Sequence, residues 1–417
     1  MQSPTSSDNS LSKPRIFYGY VIVGVGFLTL AIMWGTLYAF GVFFNPLLDE
    51  FGWTRAMTSG AFSLSVVLLA GFSVVAGRLT DRFGPRIVIT AGGLLLGTGC
   101  LLMSLVNSVW QLYLFYGVIM GIGMGTSFVP VASTIARWFV RRRGMMTGIT
   151  VSGLGVGTLI MSPLANRLIA NYGWRNSYIT MGIAVLVLVV SSAQFLRRDP
   201  SQKGQLPDGA SHLEEKSNAE GKGFSLSQAA HTRQFWMLDM AALFFGISLG
   251  TVLVHIVPHA VGMGFSATEA ALVLALVGGG GTTGRVIMGI TCDWIGNRQA
   301  LVICFGFIAG SSFLLLVSDK LWELYLFAIL FGFGYGGMSA LVSPITAELF
   351  GLSSHGAILG LVASIGGDGG SAVGSVAAGY IFDVTGSYYM AFLICAIIST
   401  ISLLLVLLLK LSPLPRS

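Results

Sequence analysis

Residues 77–86 read Gly-Arg-Leu-Thr-Asp-Arg-Phe-Gly-Pro-Arg, and residues 289–298 read Gly-Ile-Thr-Cys-Asp-Trp-Ile-Gly-Asn-Arg. Both decapeptides are short charged turns between apolar runs, with Gly84-Pro85 breaking the first. A shift of 212 residues, the interval from Gly77 to Gly289, also aligns Pro46 with Pro258, Gly52 with Gly264, Asp81 with Asp293 and Arg86 with Arg298. The chain is therefore a tandem duplication, a periodicity that must be recognised before any fold is assigned.

Working outward, the 417 residues are 54% hydrophobic and 10% charged, whereas a soluble chain carries roughly 25% charged residues. That excludes a soluble protein. A bilayer core of about 30 Å needs about 20 apolar residues per helix, and twelve such runs are predicted at 17–44, 56–78, 87–106, 110–136, 144–169, 175–196, 235–258, 266–290, 299–317, 322–348, 355–382 and 387–410. The 56 glycines follow no Gly-X-Y period and suit close helix packing in lipid. The four cysteines stand singly, so neither a disulfide framework nor a metal site is implied. No cofactor is expected, and the charge of +6, spread over membrane-flanking positions, does not point to nucleic acid.

The organisation predicted is a tail at 1–16 without the layout of a cleaved signal peptide, a six-helix bundle at 17–196, a solvated linker at 197–234, a second bundle at 235–410 and a tail at 411–417. With both termini inside, eighteen cations fall on the inner segments and four (Arg55, Arg167, Arg175 and Lys320) on the outer ones, which sets the termini as cytoplasmic. Each half has six spans and the same orientation. Such parallel repeats place substrate between the halves near the midplane.

The two decapeptides with twelve spans resemble the major facilitator superfamily. Arg137-Trp-Phe-Val-Arg-Arg-Arg-Gly144, running through Met145 to Gly157, resembles the signature shared by monocarboxylate transporters and the oxalate/formate antiporter family, and Tyr18-Gly-Tyr-Val-Ile-Val23 is similar to those relatives too. The resemblance implies an all-α fold of two six-helix bundles and no enzymatic activity. It also implies gating by the loops: Asp81 would latch onto the start of helix 11 near Ser353-Ser354 and Asp293 toward helix 5, with Arg82 and Arg298 beside them. The plainer reading is that these charges only fix topology. Arg141, Arg142 and Arg143 are read as positive-inside anchors, with a lipid headgroup contact as the rival.

Arg285 is the sharpest feature. An arginine within a span costs about 2.5–3.5 kcal/mol or more on insertion scales, so it must face protein or water and meet an anion. Its guanidinium stays charged and holds a carboxylate through two parallel hydrogen bonds. The equivalent place in the first half is Ser73, so the cation lies outside the duplicated scaffold. Snorkelling toward the nearby loop is the alternative. The resemblance implies that Arg285 binds the anion. Where oxalate transporters of that family carry a second cation in helix 11, this chain has Val362; where they line a cage with aromatics, it has Phe128, Leu154 and Leu359 while keeping Tyr38 and Tyr335. One cation and an aliphatic wall suit a small monocarboxylate.

Asp368, within Gly366-Gly-Asp-Gly-Gly370, is a candidate to take up a co-transported proton or a fixed partner for a hydroxyl or amide. His255 is a second candidate for proton coupling, or an interfacial residue, and His259 a lesser one. The expected function is proton-coupled transport of a lactate- or pyruvate-like monocarboxylate by alternating access, by a chain working as a monomer in the plasma or inner membrane. The alternatives are carboxylate exchange of the formate type and proton-coupled drug export, which leaves Arg285 without a role.

Overall fold

The computed structural model describes residues 17–139, 143–206, 208, 224–351 and 355–409, and structural statements here concern those residues. They form helices throughout. Ten helices are long and apolar enough to cross a membrane. The longest, Met145–Ala193, is two spans: Gly173 has φ 75° and ψ 161°, a backbone reversal that only glycine enters at little cost. Helix 355–385 adds another, glycine-rich and interrupted by a π-helical stretch. Twelve spans result: α1 (Gly19–Phe51, bent at Ala39), α2 (Arg55–Phe83), α3 (Pro85–Met103), α4 (109–138), α5 (143–172), α6 (174–193), α7 (Arg233–Gly262), α8 (Ala267–Ile295), α9 (Asn297–Leu316), α10 (Leu321–Phe350), α11 (355–385) and α12 (Tyr389–Leu408).

The duplication is visible in the backbone. Gly84 and Gly296, the equivalent glycines of the two decapeptides, have φ/ψ of 82°/162° and 87°/151°. Helix α7 is the most enclosed span, 78% buried, and α12 the least, 39%; the first is central and the second turns most of its apolar surface outward. Outward Ile183, Val187 and Leu404 would be an aggregation-prone patch in water but are matched to lipid.

Glycine lets the helices touch at backbone distance. A Cβ on Gly284 or Gly336 would overlap the carbonyls of Phe333 and Gly281, which locks α8 to α10. A Cβ on Gly246 or Gly370 would overlap α11 or α7 in the same way. Between halves, a Cβ on Gly278 would lie 2.7 Å from the Gly155 carbonyl, and one on Gly41 2.7 Å from that of Leu253.

The linker is not wholly solvated as expected. Its first residues pack on the first bundle: Trp138 Nε1 donates to the Arg197 carbonyl at 2.9 Å, Arg137 pairs with Asp199 at 3.4 Å, and Pro200–Lys203 make a short turn. Its end packs on the second bundle, where Phe224 N donates to the Phe350 carbonyl at 2.8 Å and Ser225 with Gln228 forms a capping box. The tails, the middle of the linker, Arg141, Arg142 and Ser353-Ser354 lie outside the described residues, as do the side chains of Asp81, Asp293 and Arg143.

Candidate functional site

Helix α8 places Arg285 at 3% exposure, facing α10 rather than an outer surface. Nε donates to Ser339 Oγ at 3.1 Å, and Ser339 Oγ donates in turn to the Gly336 carbonyl at 2.8 Å. The guanidinium carbon sits 4.8 Å from the centroid of the Tyr335 ring, a cation–π contact that fixes its plane. Tyr335 is itself stacked 6.0 Å from Phe245 of α7. Nη1, by contrast, is buried and has no hydrogen-bond partner. Beside it stands Gly281, where a Cβ would lie 3.3 Å from Nη1 and 3.4 Å from the Tyr335 ring. A buried charged donor without a partner is one that an anion would satisfy.

The first half supplies the other wall. Tyr38 of α1 is buried against Trp34, with ring centroids 5.4 Å apart, and Trp34 Nε1 donates to Ser127 Oγ of α4 at 3.1 Å. Tyr38 stands close to Tyr335 across the interface of the halves. Asp368 sits in the π-helical stretch Val362–Gly369 of α11. Arg285, Tyr335 and Tyr38 thus meet across the interface of the halves. Leu154 is buried one residue before Gly155, which packs on α8; Leu359 is half-buried and Phe128 is 39% exposed, and no described contact ties these three to Arg285. A separate cavity of about 460 Å³ between α5, α8 and α10 has an apolar wall that includes Leu159, Leu276 and Phe333 but not Arg285.

His255 lies elsewhere, toward the end of the bundle away from the chain termini. It is fully buried, with Nε2 2.7 Å from the Ser375 carbonyl and Nδ1 3.0 Å from Tyr388 Oη. The carbonyl can only accept, so Nε2 carries the proton and Nδ1 accepts from Tyr388. Tyr388 Oη accepts from Arg55 at 2.8 Å, the Arg55 guanidinium stacks 4.1 Å from Phe382, and Asp383 accepts from the backbone N–H groups of Arg55 and Ala56 at 3.0 and 2.8 Å. A carboxylate of the second half thereby caps the helix start of α2. Ser63 Oγ bonds the Ala372 carbonyl and lies 2.6 Å from Ser375 Oγ, and Asn166 donates to Thr268 at 3.1 Å. These contacts fasten the two halves at this far end.

Of the loop charges, Arg82 lies 5.1 Å over Phe83, and Arg298 donates to the Leu407 carbonyl. Glu348 accepts from Asn297 at 2.8 Å. His259 packs on Phe392 at 4.8 Å. Among the described residues no group of three or more His, Cys, Asp and Glu is placed to hold a metal.

Two gaps in the sequence reading stand out. Gly281 and Ser339 frame the guanidinium, but their role depends on which faces of α8 and α10 meet. Asp239 is an acid inside the expected seventh span that the reading passed over, although its charge in an apolar run was signal enough.

The family model described as Major Facilitator Superfamily matches residues 25–319 and 303–417. The chain belongs to the major facilitator superfamily. It is an integral membrane transporter, not an enzyme. It is 28% identical to monocarboxylate transporter 13 of Rattus norvegicus over 379 residues, covering 90% of this chain and 85% of that one. It is 28% identical to monocarboxylate transporter 12 of Homo sapiens over 417 aligned residues, covering 93% and 79%. It is 29% identical to the oxalate:formate antiporter of Oxalobacter formigenes over 359 residues, covering 84% and 81%. Among solved structures, a bacterial homologue of the human lysosomal transporter Spinster, inward-facing and unoccupied, has a TM-score of 0.69 at 15% identity, covering 94% of this chain and 95% of that one. That likeness shows the shared fold.

Proposed function

We propose that this transporter carries a small monocarboxylate of the lactate and pyruvate kind together with a proton. The observation that carries the proposal is the Arg285 guanidinium, buried, oriented by Ser339 and Tyr335, with Nη1 unpartnered beside Gly281. The substrate carboxylate docks there, and its short tail lies against Tyr38 and Tyr335. Relatives named for monocarboxylates and for oxalate and formate support the chemical class.

Coupling follows from charge balance. With a substrate carboxylate on the guanidinium, an ionised Asp368 would leave a net negative charge in a low-dielectric site. Taking a proton on Asp368 removes that cost and lets the loaded halves rock. Asp368 is favoured over His255 for this step because both His255 ring nitrogens are already engaged. The cation asymmetry supports cytoplasmic termini, which makes the fastened far end the outer one. The cell's plasma or inner membrane is the proposed location, and the monomer the working unit.

Purified protein in liposomes should take up labelled lactate when an inward proton gradient is imposed. Arg285→Lys should lower uptake by roughly 10- to 100-fold, in line with the ~1.5–3 kcal/mol of a hydrogen bond to a charged group; unchanged uptake would remove Arg285 from the mechanism. The antiporter relative favours a second reading, one carboxylate exchanged for another. Counterflow that proceeds at equal pH while the proton gradient drives nothing would select exchange.

A further inference from the structure

Helix α7 carries Asp239 at 1% exposure, and neither of its carboxylate oxygens has a hydrogen-bond partner. The position is specific. The Asp239 carbonyl lies 3.0 Å from where a Cβ on Gly366 would stand, so this turn of α7 abuts the π-helical stretch that bears Asp368 two residues on. Gly246 of α7 meets Gly367 of α11 in the same seam. Asp239 is seven residues, or about 10 Å of helix rise, nearer the chain termini than Gly246.

The elements packed on α7 include α1 with Asp49 and Glu50, α8 with Glu269 and Arg285, α10 with Glu323 and Glu348, α11 with Asp368 and Asp383, α12 with Cys395 and the short helix before α7 with His231. Among the described residues none of these donates a hydrogen bond to the Asp239 carboxylate. Arg233 of its own helix is exposed, six residues and nearly two turns away. Six residues past the helix start, Asp239 lies beyond the first turn, where the helix dipole acts. An ionised carboxylate so placed would bear a desolvation cost of several kcal/mol with nothing to offset it. A hard metal cation would ask for about six oxygen ligands, and among the described residues no group of three or more His, Cys, Asp and Glu is placed to hold one. The occupant that satisfies the site is a proton.

We propose that Asp239 is a proton-binding site on the cytoplasmic side of the central cavity, a second carboxyl that receives the coupling proton after Asp368 and passes it to the inner solvent. The proposal rests on the proton-coupled reading above and adds the release route, set by the α7–α11 seam, to it.

The test compares wild type with Asp239→Asn in liposomes, using labelled lactate in counterflow at equal pH and in uptake driven by an inward proton gradient. Infrared spectra record the C=O stretch of protonated carboxyls. Asp239→Asn should retain counterflow, lose gradient-driven uptake at least tenfold and lack one carboxyl band. Asp239→Glu, which keeps an ionisable group, should keep both modes, and it carries the test if the asparagine variant does not fold. Unchanged gradient-driven uptake in Asp239→Asn, joint loss of both modes in a folded variant, or an unaltered carboxyl band would each overturn the proposal. Should the wild type move no carboxylate in either mode, the substrate reading falls instead, and the infrared band alone decides whether Asp239 holds a proton.

Discussion

At Arg285 a few ångströms separate a structural arginine from a binding one. Nε is satisfied by Ser339 and the guanidinium plane by Tyr335, but Nη1 is unpartnered and lies close to Gly281, which has no side chain. Gly281→Ala should therefore raise KM for the carboxylate by about tenfold, since one methyl group in a fitted pocket is worth about 1–3 kcal/mol, while kcat and thermal stability change little. A KM equal to that of wild type would mean that the substrate docks on another face of the guanidinium. The charges of this site could be read in the sequence because a charge in an apolar run is conspicuous whatever the fold: Arg285 and Asp368 stand out. Gly281 could not, being one of 56 glycines. Its meaning arises only when α8 and α10 close to backbone contact.

Helices α2, α7, α11 and the turn before α12 share one network, Asp383–Arg55–Tyr388–His255–Ser375, in which each donor has an acceptor. Tyr388→Phe removes the acceptor for Arg55 and the donor to His255 together, leaving a buried imidazole nitrogen unpaired, at a cost of about 1–3 kcal/mol. A melting temperature several degrees lower is expected, together with faster labelling of a cysteine placed at Ala372 by a membrane-impermeant thiol reagent added from the far side. Undiminished stability and unaltered labelling would show that the network does not hold this end shut. The sequence showed that His255 lies near the outer end of α7 but could not show its partners, which come from residues 120 and 133 positions away. Hydrogen bonds at that separation are set by helix packing, which hydropathy periods do not encode.

Across the whole molecule, the duplicated loops and the twelve apolar runs were legible because each follows from the bilayer's thickness and polarity alone. The π-helical stretches in α4 and α11 and the packed ends of the linker were not, since they depend on neighbours. The duplication builds a scaffold of two similar bundles, and the proposed site lies where they differ, at Arg285 against Ser73. Alternating access then requires the far end, fastened here by Ser63 and Ser375 among others, to part in every cycle. Their hydroxyl oxygens are 2.6 Å apart, close enough for a disulfide between cysteines at the two positions. The four native cysteines are all buried, so they offer little competition for that bond. Ser63→Cys with Ser375→Cys should transport at near wild-type rate when reduced and fall to background when oxidised, with recovery on adding reductant. An oxidised, fully cross-linked protein that still moves lactate would show that α2 and α11 stay joined at this point throughout transport, and would place the moving seam elsewhere between the halves.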